Sequence, residues 1–176
     1  IGVEVEGDRV ADAGFEAAGC GAAIAAGSAA VDLVRGERVL DAARVDTHAI
    51  ADALGGLSPG KLHAAELAAD ALARALGRAV AADGIAATEP GRTLVAMSGG
   101  VDSAVAALLS GPGAVTVTLE LWRDPDNDGE RSCCSASAVR GARAIAHGMG
   151  LAHLTLDLRD EFRAGVVDPW LAEHGA

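Results

Sequence analysis

At 176 residues the chain has room for one domain or two small ones, and with 51% hydrophobic residues it can build a core although aromatics make up only 2%. A net charge of −11, with acidic side chains in excess in both halves, excludes a free-standing nucleic-acid binder that grips phosphate through a basic face. Three cysteines, one isolated and two adjacent, exclude a disulfide framework and, with no secretory signal, point to a reducing cytoplasm. The most apolar stretch, residues 17–31, is too short and too glycine-rich for a membrane span. The chain opens at Ile1, without methionine and already in strand-like sequence, and reads as a fragment.

Gly2 to Glu6 alternates like a half-buried strand, Gly7-Asp8 supplies a turn, and Arg9 to Phe15 reads as the returning strand. Small residues from Gly21 to Val34 predict a close-packed helix. Thr47 is placed to cap a short helix ending near Gly55-Gly56, and Ser58-Pro59 has N-cap and N1 chemistry for a longer one. On that helix Leu62, Ala65, Ala69, Leu72, Leu76 and Val80 form an apolar stripe. Asp83 to Arg92, with Gly84, Pro90 and Gly91, breaks the pattern and reads as a linker between residues 1–82 and 93–176.

The second half alternates strand and helix. Thr93 to Met97 predicts a strand, and a helix follows with Val101, Val105, Leu108 and Leu109 on one face. Ala114–Leu121 reads as a strand, Ala136–Met149 as a helix, His153–Leu158 as a strand and Glu161–His174 as a helix. That order predicts an α/β fold with a parallel, Rossmann-like sheet, which would continue past Ala176, and ligands at the carboxyl ends of its strands.

Between the first strand and helix of this half lies Ser98-Gly99-Gly100-Val101-Asp102-Ser103. Strand, glycine turn and helix build a phosphate cradle: glycine lets the backbone approach an anion, and the helix N-terminus favours negative charge. Ser98 and Ser103 add hydroxyl donors. No lysine follows, so this is not a Walker-type loop. The alternative is an ordinary capped turn.

The run resembles the loop of the PP-loop ATP pyrophosphatases. With Thr118-Leu119-Glu120-Leu121-Trp122, Ser132-Cys133-Cys134-Ser135, Gly150-Leu151-Ala152-His153 and Leu158 to Phe162, residues 93–174 resemble bacterial tRNA 2-thiouridylases of the MnmA type. The resemblance implies a PP-loop or HUP-type sheet. It also implies ATP-dependent replacement of the C2 oxygen of the wobble uridine by sulfur, through an adenylated intermediate. ATP with Mg²⁺ would be held by Ala96, Met97, Ser98, Gly99, Gly100, Val101, Asp102 and Ser103, and Leu119 would pack on adenine. The family's catalytic cysteines and tRNA-binding parts belong beyond Ala176, so no catalytic residue is assigned within the chain.

Gly19-Cys20-Gly21-Ala22-Ala23-Ile24-Ala25-Ala26 and Leu57-Ser58-Pro59-Gly60-Lys61-Leu62-His63 resemble NifU/IscU-type iron–sulfur scaffolds. That resemblance implies a small α+β domain over residues 1–82. It makes Cys20 and His63 the remnant of an iron–sulfur or zinc site in which Ala64 replaces a cysteine. The half would then supply sulfur, received from a cysteine desulfurase, or serve as a docking module.

Two readings stay open for Cys133 and Cys134, as sulfur carriers or as small buried residues. The acidic run Asp124, Asp126, Asp128 and Glu130 lacks EF-hand spacing and reads as a solvated loop. The rival functions are an iron–sulfur scaffold with an appended nucleotide domain, or another PP-loop ligase.

Overall fold

The structure is a computed structural model that describes residues 1–83, 90–122 and 135–175. Cys133, Cys134, the acidic run and most of the Asp83–Arg92 stretch lie outside the described residues.

The first half opens with the antiparallel hairpin β1 (Gly2–Glu6) and β2 (Arg9–Gly14), turned at Gly7 with φ +61°. Helices α1 (Gly21–Val34), α2 (Val39–Ala42), α3 (Thr47–Ala53) and α4 (Leu62–Asp83) follow. Two caps differ from the sequence reading. Asp46, not Thr47, caps α3, its carboxylate accepting the Ala49 N–H at 2.8 Å, which places Thr47 at the first helical position. Ser58 makes no side-chain cap; Pro59 opens a 3₁₀ turn, Pro59–Lys61, that leads into α4. Ala65, Ala69, Leu72 and Leu76 of the α4 stripe are buried. Burial of each leucine contributes roughly 1.5–3 kcal/mol.

In the second half β3 (Leu94–Ala96), β4 (Val115–Glu120) and β5 (Ala152–Asp157) form a parallel sheet in that order. Helices α5 (Val101–Ser110) and α6 (Ala136–Gly148) make the crossovers. The closing helical stretch is broken: α7 (Arg159–Phe162) widens into a π turn at Arg163–Val167 before α8 (Asp168–His174). Pro169, in the first turn of α8, lacks the N–H that would continue a regular ladder.

The face predicted for α5 is not its packing face. Val101, Val105, Leu108 and Leu109 are exposed, whereas Ala107 is fully buried and Ala104 packs beside it. The helix approaches β3 and α6 through its small residues, which a search for large apolar side chains overlooks.

The two halves share a core. Val10, Val31, Val34, Leu72 and Leu76 from the first half pack with Val117, Ala152 and Leu154 of the sheet. The first half also covers the outer edge of β5. His153 donates its backbone N–H to the Ala43 carbonyl at 3.0 Å, and Gly77 lies against the Thr155 carbonyl. An edge strand with open backbone groups invites unwanted pairing, and this contact removes that hazard.

Candidate nucleotide site

The loop lies at the carboxyl end of β3. Met97 is buried; its N–H donates to the Val117 carbonyl at 2.7 Å, and its own carbonyl accepts the Thr118 hydroxyl at 2.9 Å. These bonds fix the strand on which the loop starts. Ala96, Ser98 and Gly100 are exposed.

Gly99 takes φ +80°, a conformation that glycine adopts without steric cost, and its Cα faces the Ala138 carbonyl across α6. Gly100 is the N-cap of α5, and Asp102 sits exposed in the first turn. The two serine hydroxyls are 3.3 Å apart. Ser98 Oγ accepts the Gly100 N–H at 3.3 Å, Ser103 Oγ accepts the Ser98 N–H at 3.3 Å, and Ser103 Oγ donates to the Gly100 carbonyl at 3.0 Å. The serines thus brace the turn, and the first-turn N–H groups of α5 have no intrahelical acceptors. Beside Gly99 and Gly100 an apolar groove of about 240 Å³ runs between α5 and α6 past Ile145 and Met149. It offers no donors, so an anion would be held by the loop's own N–H groups.

Leu119 is 36% exposed at the end of β4, one strand over from the loop. Its neighbour Glu120 is buried and was not singled out from sequence. Arg74 of α4 donates from Nη1 to Glu120 Oε2 at 2.9 Å and from Nε to Asp70 at 3.4 Å, and Arg143 of α6 reaches Asp70 at 3.0 Å. Burial opposes the charge on Arg74, but Glu120 and Asp70 outweigh it and raise its pKa. The i, i+4 spacing of Asp70 and Arg74 was the one sequence signal of this network.

Cys20 and His63 are both exposed. Cys20 is the N-cap residue of α1, and the backbone N–H groups of Ala23 and Ala22 hold its thiol below the ordinary range, with Lys61 assisting. Ala64 is buried among Ala26, Ala30 and Ile50. Among the described residues no three His, Cys, Asp or Glu side chains form a metal-ligating group. A cluster or structural zinc needs about four ligands, so this donor set does not fit one. None of the described helices is long and apolar enough to cross a membrane.

A parallel α/β sheet with a glycine–serine loop at a strand's carboxyl end defines a Rossmann-like domain, here packed on a small α+β module. Residues 1–81 match the family described as NifU-like N terminal domain, and residues 91–176 match the tRNA methyl transferase HUP domain. The chain is 42% identical, over 99% of its length, to a bifunctional protein NifU/MnmA of Rubrobacter xylanophilus, of which it covers 38%. Over 48% of the chain it is 41% identical to a tRNA-specific 2-thiouridylase MnmA of Rhodospirillum rubrum and 37% identical to that of Lachnoclostridium phytofermentans, covering 24% and 26% of them. The chain is thus a NifU-like domain followed by a HUP domain, in the arrangement shared with that bifunctional relative. It spans well under half the length of these relatives.

Proposed function

We propose that the chain is the ATP-binding part of a cytoplasmic tRNA 2-thiouridylase, preceded by a NifU-like module. The observation that carries this reading is the Ser98–Ser103 loop, braced by its serines at the N-terminus of α5, where first-turn N–H groups without intrahelical acceptors suit the β- and γ-phosphates of ATP. With those phosphates clamped, the α-phosphorus is left toward the acceptor. The uridine C2 oxygen attacks it, pyrophosphate leaves, and the adenylated oxygen becomes a good leaving group. The outer sulfur of a protein persulfide then attacks C2 and AMP departs. A second thiol attacks the inner sulfur, breaking the S–S bond to release the 2-thio group and leaving a disulfide that an external thiol reductant reopens.

Asp102, exposed beside the loop, is the carboxylate available to Mg²⁺; the ion would neutralise phosphate charge while keeping several waters. Leu119 offers an apolar contact for adenine.

For the NifU-like half, docking of a sulfur donor such as a cysteine desulfurase suits the residues better than cluster assembly. Its ligand set is incomplete, while Cys20 is exposed with a lowered thiol pKa. The catalytic cysteines and the tRNA-binding surface are assigned to other parts of the enzyme.

The test is nucleoside mass spectrometry of tRNA incubated with the full enzyme, ATP, cysteine and a desulfurase. 2-Thiouridine at the wobble position is expected. Methylated uridine, or no modified base, overturns the reading.

A further inference from the structure

The ion pair between Arg74 and Glu120 joins an element of the NifU-like half to the strand end beside the nucleotide loop. We propose that Arg74 is a positioning residue of the nucleotide site, holding the carboxyl end of β4, and with it Leu119, in place for the adenine. This rests on the reading of the loop as an ATP site.

The Glu120 side chain is 9% exposed and that of Arg74 31%. A carboxylate so buried requires a cation, and Arg74 supplies it through a direct 2.9 Å bond. The backbone of the same residue is held as well, its carbonyl accepting the Leu158 N–H at 3.0 Å. Arg74 is in turn oriented by Asp70, which Arg143 of α6 also engages, so the guanidinium is anchored from two elements. Glu120 and Leu119 are consecutive in β4. Whatever fixes the first fixes the second, and Thr118, one residue earlier, ties the strand to Met97 at the root of the loop. The NifU-like half therefore contributes to the adenine side of the pocket, whereas the phosphate side is built wholly from residues 98–103.

That division gives a test that a loss of fold does not mimic. With Trp170→Phe as background, Trp122, two residues after Glu120 and half exposed, reports binding by its fluorescence. The full chain is titrated with Mg·ATP and, separately, with inorganic pyrophosphate, which needs only the loop. Arg74→Ala is expected to weaken ATP by about tenfold and pyrophosphate by less than about twofold, with Arg74→Lys between wild type and Arg74→Ala for ATP. Arg78→Ala, exposed one turn along α4, is expected to change neither. Unchanged ATP affinity in Arg74→Ala overturns the proposal. So does a parallel loss of both ligands, and if Arg74→Ala does not fold, the same split is required of Arg74→Lys. A wild-type chain that binds neither ligand removes the ATP reading itself and this inference with it.

Discussion

Gly77 in α4 lies against the main chain of Thr155 in β5, so that a Cβ at residue 77 would collide with the Thr155 carbonyl oxygen. The obstacle is backbone and cannot swing aside as a side-chain tip could. Gly77→Ala must push α4 away from the sheet and open the core formed by Leu72, Leu76, Val117 and Leu154. A loss of about 3 kcal/mol or more is expected from such overpacking, read as a lower midpoint in urea unfolding. An alanine variant as stable as wild type would mean that the halves do not pack as described.

The same interface makes stability depend on pH through His153. Thr116 Oγ1 donates to the Ala152 carbonyl at 2.8 Å, so the 2.9 Å contact with His153 Nδ1 has the ring nitrogen as donor, and Nε2 is buried with no hydrogen-bond partner among the described residues. Burial, with smaller repulsion from His147 and Arg143, lowers its pKa to about 3. Between that value and the unfolded value near 6.5 the unfolded chain holds more protons, so stability is full above pH 6.5 and declines as pH falls. Acidification from pH 6.5 to 5 is expected to cost about 2 kcal/mol from this group. Unfolding measured across that range should lose most of this slope in His153→Leu.

Loop substitutions should separate binding from folding. Gly99→Val places a β-branched residue at φ +80° and 3.4 Å from the Ala138 carbonyl, and is expected to abolish ATP binding in calorimetry. The far-ultraviolet dichroism of the NifU-like helices should persist. Asp102→Ala, which removes an exposed carboxylate, should weaken Mg·ATP more than ATP without metal.

Cys20 should alkylate with iodoacetamide near neutral pH faster than a free cysteine, because the thiolate is stabilised by the Ala23 and Ala22 N–H groups. Peptide mapping reads this site apart from Cys133 and Cys134. Anaerobic reconstitution of the chain is expected to leave it without stoichiometric iron and sulfide. A cluster lost in Cys20→Ala would show that the remnant recruits ligands beyond Cys20 and His63.

Much of the fold was legible because its signals are local. The α4 stripe, the Gly7 turn and the strand–loop–helix order each lie within a few residues, and the parallel sheet follows from them. The position of the Ser98–Ser103 turn between β3 and α5 was legible for the same reason, since its residues are contiguous. The packing side of α5 was not, because alanines faced the sheet while the leucines drew attention. Nor was the Arg74–Glu120 pair, whose members are far apart in sequence and meet only when α4 settles beside β5. Asp46 displaced Thr47 as a cap because neighbouring cap-forming residues compete at a helix start and sequence alone does not rank them.

The most direct test of the central claim is the fate of ATP during tRNA thiolation by the full enzyme. α-Labelled ATP followed by chromatography should yield AMP, with one pyrophosphate released per sulfur incorporated, because a loop that clamps the β- and γ-phosphates leaves the α-phosphorus to be attacked. Gly99→Val should stop both products together. Formation of ADP and inorganic phosphate in step with thiolation would contradict the phosphate-loop assignment.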